Sequence, residues 1–233
     1  MEQQKKIPVS VLKRLPAYED YLRAQQARGI QFVSSTVVAR ALDLGDVSVR
    51  KDFALLAGDG RPNSGRSVDE LLRRIGALLD SKHEKGAILV GVGKLGRALL
   101  DYRGFDRYGL QIEAAFDLHP EKKQELAISV PVLPLEQMEE FCRREHVLMG
   151  IVTVPASAAQ GVAEHLIWSG IRAIWNFAPT HLALPPGVIL YNENMAGSLA
   201  ALAHLLSQQE AGECAASENC TNQNSFEKDV GNS

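Results

Sequence analysis

Cysteine is scarce in this chain, and long apolar runs and a strong net charge are missing. The 233 residues include three cysteines, Cys142, Cys214 and Cys220. Such a sparse, odd-numbered set argues against a disulfide framework. The sequence has no run of about 18 apolar residues, which argues against a membrane-spanning helix. The N-terminal residues also lack the apolar core of a secretory signal. We therefore expect a cytoplasmic protein with no membrane partner.

The overall composition is that of a globular protein. Hydrophobic residues make up 45% and charged residues 23% of the chain, which excludes a wholly disordered or collagen-like protein. The length fits one large domain or two small ones. The net charge of −3 divides into +3 over residues 1–80, −2 over 81–206 and −4 over 207–233. The mildly basic first region permits nucleic-acid binding without proving it.

Residues 1–80 have the pattern of a small helical domain that contains one glycine-rich loop. Apolar residues at steps of four, three and four predict a first helix over about 10–28. Three more helices are predicted, with N-caps at Ser34 or Ser35, at Asp46 and at Ser67. The stretch 57–66 is rich in turn residues and cannot be helical. This order is typical of a winged helix-turn-helix, with residues 47–55 as the recognition helix.

Side chains suited to DNA lie on and around this recognition helix. Arginine can donate two hydrogen bonds to guanine, lysine suits phosphate or guanine, and serine at a helix start can donate to a phosphate. The candidate DNA-binding residues are Ser34, Ser35, Ser48, Arg50, Lys51 and, in the wing, Arg61, with Arg66 nearby. The alternative interpretation is a solvated basic face on which Arg50 pairs with Asp52 or Asp46.

Residues 81–206 alternate between strand and helix patterns. Short apolar runs predict strands at 87–90, 112–116, 147–154, 171–175 and 187–191. Helical patterns occupy 94–103, 135–145 and 156–169. This alternation predicts a Rossmann-like α/β domain with a doubly wound parallel sheet.

A glycine motif follows the first of these strands and opens a helix. Its six residues are Gly91, Val92, Gly93, Lys94, Leu95 and Gly96. In this context the glycines permit a tight turn, a close approach of the backbone to a pyrophosphate, and close packing of helix on strand. Asp117 ends the next strand, where an acid can hold both ribose hydroxyls and repel a 2′-phosphate. The motif therefore predicts an NAD(H) site; the alternative is a glycine turn with a surface aspartate.

Two further loops close later strands and are candidates for the nicotinamide end of the site. Ligands of open α/β sheets bind outside the carboxyl ends of the strands. The candidate residues are Thr153, Val154 and Pro155 in one loop and Asn176, Phe177 and Ala178 in the other. An equally strong alternative is that Pro155 and Pro179 only terminate strands.

No acid–base constellation accompanies the dinucleotide motif. His181 lies near a strand-end loop without an evident acidic partner, and the sequence has no Tyr-x-x-x-Lys spacing and no metal-ligand cluster. We therefore expect a protein that senses a dinucleotide without catalytic residues.

Residues 207–233 are polar and acidic without an apolar period, which is typical of a disordered tail. Cys214 and Cys220 in this tail could form a redox or metal pair, but no further ligand has a matching spacing.

Segments spread over residues 7–205 share an order and spacing with a known family. They are Ile7-Pro8, residues 12–18, Val33-Ser34-Ser35, Val49-Arg50-Lys51-Asp52, residues 90–99, Ala115-Phe116-Asp117, residues 120–122, residues 154–160, Gly170-Ile171 and residues 176–179. Together they resemble Rex, the redox-sensing transcriptional repressor family. The resemblance implies a homodimer of winged-helix and Rossmann subunits that represses genes at a palindromic operator. It also implies that NADH releases the DNA whereas NAD⁺ permits binding.

The resemblance further implies a last helix that is swapped into the partner subunit. Met195, Leu199, Leu202 and Leu206 give that helix an apolar stripe.

Four departures from the family pattern bear on wing contacts and redox coupling. The wing, 57–66, lacks aromatic residues, Asn194 stands where aspartate is frequent, Asp20 replaces an arginine, and Lys94 replaces asparagine. Two alternatives therefore stay open. One is a Rex-like paralogue that binds NAD(H) with altered or lost DNA binding, and the other is an NAD-dependent oxidoreductase with a helical appendage.

Overall fold

The computed structural model describes residues 7–58, 65–79, 85–123 and 128–226, with the side chains of 85, 122, 123 and 211–226 excepted. The chain divides into two compact units. Unit 1 comprises Met1–Lys85 and Arg103–Gln111, and unit 2 comprises Gly86–Tyr102 and Ile112–Ser233. Segment 103–111 thus packs with the N-terminal unit although it lies within the α/β region of the sequence.

Among the described residues, unit 1 contains five α-helices and a two-stranded antiparallel sheet. Its elements are α1 (Val9–Leu12), α2 (Leu15–Ala27), β1 (Phe32–Val33), α3 (Ser35–Ala41), α4 (Asp46–Ala57), β2 (Arg66–Ser67) and α5 (Val68–Leu79). Strands β1 and β2 pair antiparallel. The core contains Tyr18 and Phe53, whose rings meet edge to face at 5.2 Å between centroids. This arrangement of helices and a small sheet is the winged-helix order that the sequence predicts.

Local chemistry explains where these helices begin. The single helix predicted over 10–28 is wrong, because the chain breaks between α1 and α2 and Pro16 occupies the first turn of α2, where its missing N–H costs nothing. The Ser34 side chain caps α3 by accepting a hydrogen bond from Val37 N at 3.2 Å, as predicted. The predicted capping by Asp46 is also wrong, because Gly45 is the N-cap of α4 and Asp46 lies in the first turn.

Unit 2 is a six-stranded sheet with helices. It contains β3 (Lys85–Val90), α6 (Lys94–Leu100), β4 (Leu110–Asp117), β5 (Val132–Pro134), α7 (Met138–Glu145), β6 (Met149–Val152), α8 (Ala156–Trp168), β7 (Ala173–Asn176), β8 (Ile189–Asn192) and α9 (Met195–Phe226). Short 3₁₀ helices span Arg103–Tyr108, which packs with unit 1, and Pro120–Lys123 and Leu135–Gln137. Strand β5 was not predicted, because it has three residues and ends in proline.

The sheet order is β5-β4-β3-β6-β7-β8, which is the Rossmann order. Strand pairs β4–β5, β3–β6, β6–β7 and β7–β8 are parallel. Strands β4 and β5 lie on one side of β3, and β6, β7 and β8 lie on the other. In such sheets, ligands bind at the carboxyl ends of the two strands where the order reverses, here β3 and β6. Successive residues of β3 bury on opposite faces: Ile88 joins one core cluster and Leu89 another. Both faces of the sheet are therefore covered.

The last helix is longer than the sequence pattern predicts. Residues 207–226 are helical as part of α9, whereas we expected a disordered tail from 207; residues 227–233 lie outside the described residues. This stretch contains no proline that would interrupt a helix, and it has no apolar period. The stripe of Met195, Leu199, Leu202 and Leu206 is exposed, with Leu199 68% accessible.

Within the described ranges, no helix combines the length and apolar character needed to cross a membrane.

Candidate dinucleotide site and DNA-binding surface

Neighbouring residues determine the conformation of the glycine loop between β3 and α6. Gly91 has a positive φ of +99°, which favours glycine. Its N–H donates to Phe116 O at 2.8 Å, and a Cβ at this position would lie 2.7 Å from Val154 Cγ1. The turn at 91 therefore requires glycine on both conformational and steric grounds.

The other two glycines of the motif have different surroundings. A Cβ at Gly96 would overlap the Gly91 carbonyl oxygen, whereas a Cβ at Gly93 would meet no atom within 4 Å. Gly93 is also the N-cap of α6, and no side chain caps the helix there. Gly96 thus packs helix against loop, and Gly93 leaves free backbone where a phosphate can approach the helix N-terminus.

Asp117 is fixed at the end of β4 beside this loop. One carboxylate oxygen accepts a hydrogen bond from Val92 N at 2.8 Å, and the other accepts from His119 N at 2.9 Å. These bonds hold the carboxylate next to the glycine turn. The half-buried side chain keeps further lone pairs for a ribose hydroxyl.

Thr153 connects the ends of β3 and β6. Its hydroxyl donates to Gly91 O at 2.7 Å and lies 3.0 Å from Val90 O, while its N–H donates to Val90 O at 2.9 Å. The threonine therefore positions the glycine loop as well as bordering the site.

A cavity of about 440 Å³ lies at these strand ends. It brings together six of the predicted cofactor-binding residues: Gly91, Gly93, Asp117, Thr153, Val154 and Pro155. It is also lined by residues that the sequence analysis did not assign to the site: Val90, Leu118, His119, Leu135, Ala158, Gly161, Val162 and His165. The missed signal was the spacing of 158, 161, 162 and 165, which places four residues of α8 on one helix face.

The remaining predicted cofactor residues do not line this cavity. Val92 is buried in the loop and Gly96 in α6, while Lys94 is exposed and Leu95 half-buried at the start of α6. Asn176 is fully buried, and its amide donates to Asn192 Oδ1 at 2.9 Å and accepts from Ala178 N at 3.0 Å. Asn176 therefore braces the loop after β7. The Phe177 ring packs against the Trp175 ring, tilted by 52° with centroids 4.5 Å apart, and Ala178 is buried.

No group of three or more His, Cys, Asp or Glu side chains that could hold a metal occurs in the part of the chain that the structure describes.

Helix α4, which the sequence predicts as the recognition helix, exposes three of the residues predicted to bind DNA. Ser48, Arg50 and Lys51 are all exposed. The alternative pairing of Arg50 with Asp52 is wrong, because Asp52 turns inward. It accepts hydrogen bonds from Arg14 at 2.7 and 2.9 Å and from the Tyr18 hydroxyl at 2.7 Å. Among the described residues, Arg50 has no ion-pair partner, so its guanidinium is available to a ligand.

Asp52, on the inner side of α4, is the centre of a buried group of charged and polar side chains. Its side chain is 4% exposed and that of Arg14 27%. The Asp52 hydrogen bond raises the pKa of Arg14, and burial together with Asp52 raises the pKa of Tyr18. Arg14 therefore stays protonated at neutral pH and neutralises the carboxylate, while Tyr18 keeps the proton that it donates to Asp52. This centre ties α4 to the N-terminal helices.

The other candidates for DNA contact border this helix or the wing. Ser34 is exposed and Ser35 half-buried at the start of α3. Arg61 lies outside the described residues. Arg66 donates to Gly58 O at 3.0 and 3.2 Å and so closes the base of the wing.

Comparisons with known proteins match both units. A family model described as "CoA binding domain" matches residues 82–180, and one described as "Putative DNA-binding protein N-terminus" matches residues 6–54. The redox-sensing transcriptional repressor Rex of Porphyromonas gingivalis is 39% identical over 197 residues, which cover 84% of this chain and 90% of that protein. The Rex of Clostridium beijerinckii is 34% identical over 91% of this chain and 100% of that protein. This chain belongs to the Rex family.

Solved Rex structures share the fold. A crystal structure of RSP in complex with beta-NAD+ and operator DNA matches with a TM-score of 0.77 at 30% identity, covering 92% of this chain and 99% of that one. RSP in complex with beta-NADH matches with a TM-score of 0.76 at 29% identity, over 90% and 98%. The winged-helix and Rossmann architecture inferred from the sequence is therefore confirmed; a swapped last helix is not shown.

Two of the departures of this Rex chain have local roles. Asn194 Oδ1 accepts from Gly197 N at 2.8 Å and so caps the start of α9, which asparagine does as well as aspartate. Asp20 on α2 forms an ion pair with Arg107, which also lies 3.5 Å from Glu19. Both substitutions thus stabilise local structure within one chain.

Proposed function

We propose that this chain is a DNA-binding repressor that senses the NADH/NAD⁺ ratio, with operator binding in region 1–80 and dinucleotide binding in 81–206. The observation that carries the proposal is the presence of two sites in one chain. One is the glycine loop beside the Asp117 carboxylate, and the other is the exposed basic surface of α4. The crystal structures of the relative RSP, with NAD⁺ and operator DNA and with NADH, support it. Such a repressor acts in the bacterial cytoplasm, and its dinucleotide is sensed rather than consumed.

The residues around the cavity fit an adenine dinucleotide. The open backbone at Gly93 and the uncapped start of α6 suit a pyrophosphate. The Asp117 carboxylate suits ribose hydroxyls and would repel a 2′-phosphate, which favours NAD(H) over its phosphorylated form. Exposed Lys94, at the first position of α6, adds a positive charge near the phosphates.

DNA recognition is assigned to the exposed side of α4. Arg50 would bind a guanine edge, with Lys51 and Ser48 beside it, and Ser34 and Ser35 would contact the backbone at the start of α3. A palindromic operator needs two such helices, so we propose a homodimer in which the exposed stripe of α9 meets its partner. Half-sites one helical turn apart require the two recognition helices to lie roughly 34–36 Å apart.

Redox sensing requires that NADH and NAD⁺ favour different dimer geometries. A ligand shifts an equilibrium only by its differential affinity for the two states. A tenfold preference supplies about 1.4 kcal/mol per site, and two sites in a dimer double it. A change of a few ångströms in helix spacing would then weaken operator binding.

Fluorescence anisotropy on a palindromic Rex-type operator, at fixed salt, tests the proposal. We expect binding without ligand and with NAD⁺, and release by NADH. Arg50→Ala should weaken operator binding by about 1–3 kcal/mol per half-site, or roughly 5- to 150-fold, and leave NADH affinity unchanged. Asp117→Ala should weaken NADH binding and leave operator binding without ligand intact.

Arg40→Ala is the matched control, because Arg40 is an exposed arginine in the last turn of α3. It should change operator binding far less than Arg50→Ala does. Binding that ignores both dinucleotides would contradict redox sensing and leave a DNA-binding protein. Dinucleotide binding without any operator binding would instead favour the paralogue with lost DNA binding, to which the altered wing points.

A further inference from the structure

Helix α4 carries a candidate DNA contact on one side and a buried carboxylate on the other. Arg50 is exposed, whereas Asp52 is buried. Residues two apart on a helix lie about 200° apart around its axis, because each residue turns the helix by about 100°. A group that fixes Asp52 from the inner side therefore also fixes the direction in which Arg50 points.

Hydrogen bonds from the start of α2 fix Asp52. Arg14 Nε and Nη2 donate to the two carboxylate oxygens at 2.7 and 2.9 Å, and the Tyr18 hydroxyl donates to one of them at 2.7 Å. Arg14 is the N-cap of α2, and Tyr18 lies in its first turn. A bidentate contact between arginine and carboxylate specifies orientation as well as distance.

The other inward-facing side chains of α4 are apolar and specify its rotation less closely. Val49, Phe53 and Leu56 are buried in the core of unit 1. Burial of apolar surface is a non-directional interaction, whereas a hydrogen bond weakens steeply when its angle departs from linearity. The contacts of Asp52 therefore hold α4 against rotation about its own axis.

A small rotation of α4 would be felt at the DNA. A rotation of about 20° moves an atom at the outer radius of a helix, about 5–6 Å from the axis, by about 2 Å. Hydrogen bonds between nitrogen and oxygen span only about 2.7–3.2 Å. Such a shift would break a bidentate contact between arginine and guanine, while the attraction between basic side chains and phosphates would persist.

We infer that Arg14 and Tyr18 are positioning residues for operator recognition. By holding Asp52 they set the rotation of α4, and this rotation directs Arg50 at its base. The inference rests on the proposed function, which assigns Arg50 to a guanine edge. Tyr18 is fully buried, so it acts through α4 and not by contact with DNA. Loss of either residue should therefore lower sequence discrimination, defined as the ratio of operator affinity to the affinity for unrelated DNA.

Fluorescence anisotropy of the full chain with a palindromic Rex-type operator and with a scrambled duplex of equal length tests the inference. Arg14→Lys keeps a positive charge beside Asp52 but loses the planar guanidinium. It should weaken operator binding roughly tenfold, which is part of the discrimination that a bidentate arginine supplies. Affinity for the scrambled duplex and its salt dependence should stay unchanged, because both report phosphate contacts.

Two further variants show how Arg14 acts. Tyr18→Phe removes one hydrogen bond to Asp52 and keeps the ring in the core, so it should lower discrimination less than Arg14→Lys does. This variant decides the test if Arg14→Lys lowers the folded fraction seen by circular dichroism. The double variant Arg14→Lys/Arg50→Ala should bind the operator about as weakly as Arg50→Ala alone, because positioning has no effect once Arg50 is missing.

Arg23→Lys is the matched control on the same helix. Arg23 also donates from Nε and Nη2 to a buried carboxylate, at 3.0 and 2.6 Å, but that carboxylate belongs to Glu19 of α2 itself. The change therefore leaves the link between α2 and α4 intact. It should alter neither operator affinity nor discrimination.

Discrimination that stayed unchanged in both Arg14→Lys and Tyr18→Phe would overturn the inference. Equal weakening on the two duplexes, or losses that add in the double variant, would also overturn it, because Arg14 would then act on DNA binding by another route. If the unsubstituted protein did not prefer the operator to the scrambled duplex, the proposed function itself would fail. That outcome is distinct from a preference that is insensitive to positions 14 and 18.

Discussion

The buried carboxylate of Asp52 predicts a definite order of mutational costs in unit 1. Arg14→Ala leaves this side chain, 4% exposed, with the Tyr18 hydroxyl as its remaining partner among the contacts described above. Removing one member of a buried ion pair costs about 3–5 kcal/mol. Because the Arg14 side chain is 27% exposed and so already partly hydrated, we expect about 3 kcal/mol, at the lower end of that range.

Asp52→Ala should cost less, although it breaks the same contacts. It removes the buried charge itself and leaves Arg14 with access to water. The remaining penalty is the buried Tyr18 hydroxyl without its acceptor, about 1–3 kcal/mol. The double variant should cost less than the sum of the two single changes, because both act on one interaction.

Urea unfolding of the full chain measures these costs. Far-UV circular dichroism follows the helices, and tryptophan fluorescence reports on unit 2, since Trp168 and Trp175 both lie there. Arg73→Ala is the control, because Arg73 is an exposed partner of Glu70 and such surface pairs contribute about 0–1 kcal/mol. If Arg14→Ala proved no more costly than Asp52→Ala, the argument that Asp52 needs a neutralising partner would be refuted.

The same centre predicts a pH dependence. Burial and the Asp52 carboxylate raise the pKa of Tyr18, so the folded state holds the phenol proton more tightly than the unfolded chain does. This contribution is full below the pKa of an unfolded tyrosine, about 10, and declines as the pH rises above it. In Tyr18→Phe this part of the alkaline loss of stability should be absent.

Three further predictions follow from other contacts. Gly96→Ala should destabilise unit 2 and abolish NADH binding, since a Cβ there overlaps the loop. Gly93→Ala should leave the Tm unchanged and lower NADH affinity. Equal effects of the two variants in thermal melts and NADH titrations would contradict these different roles. Burial raises the pKa of the Cys142 thiol to about 11, so peptide-resolved mass spectrometry should find it alkylated at pH 8 only after denaturation, and rapid labelling of the folded protein would argue otherwise. Arg107→Ala removes a partner of buried Glu19 and should speed hydrogen exchange across segment 103–111, and unchanged exchange would mean that this ion pair does not hold the segment.

Much of the fold was predictable because its signals are local. The strand, glycine motif and helix around Gly91 occupy adjacent residues, and the acid at 117 follows at the end of the next strand. Caps such as Ser34 act on backbone groups three residues away. Such features depend on backbone geometry within one or two turns of chain, so sequence alone specifies them. Capping and intrinsic helix propensity compete over the same few residues. This competition explains why we did not predict the chain break before Pro16 or the full length of α9.

The sequence by itself determined the family, the two kinds of region and the loop that would bind a phosphate. Only the tertiary structure decided which side chains face one another. It turned Asp52 toward Arg14, 38 residues away, and so left Arg50 exposed. It buried Asn176 inside its own loop, and it brought one face of α8 to the end of the cavity. These outcomes depend on how separate elements pack, because side chains distant in sequence meet only when burial brings their helices and strands together.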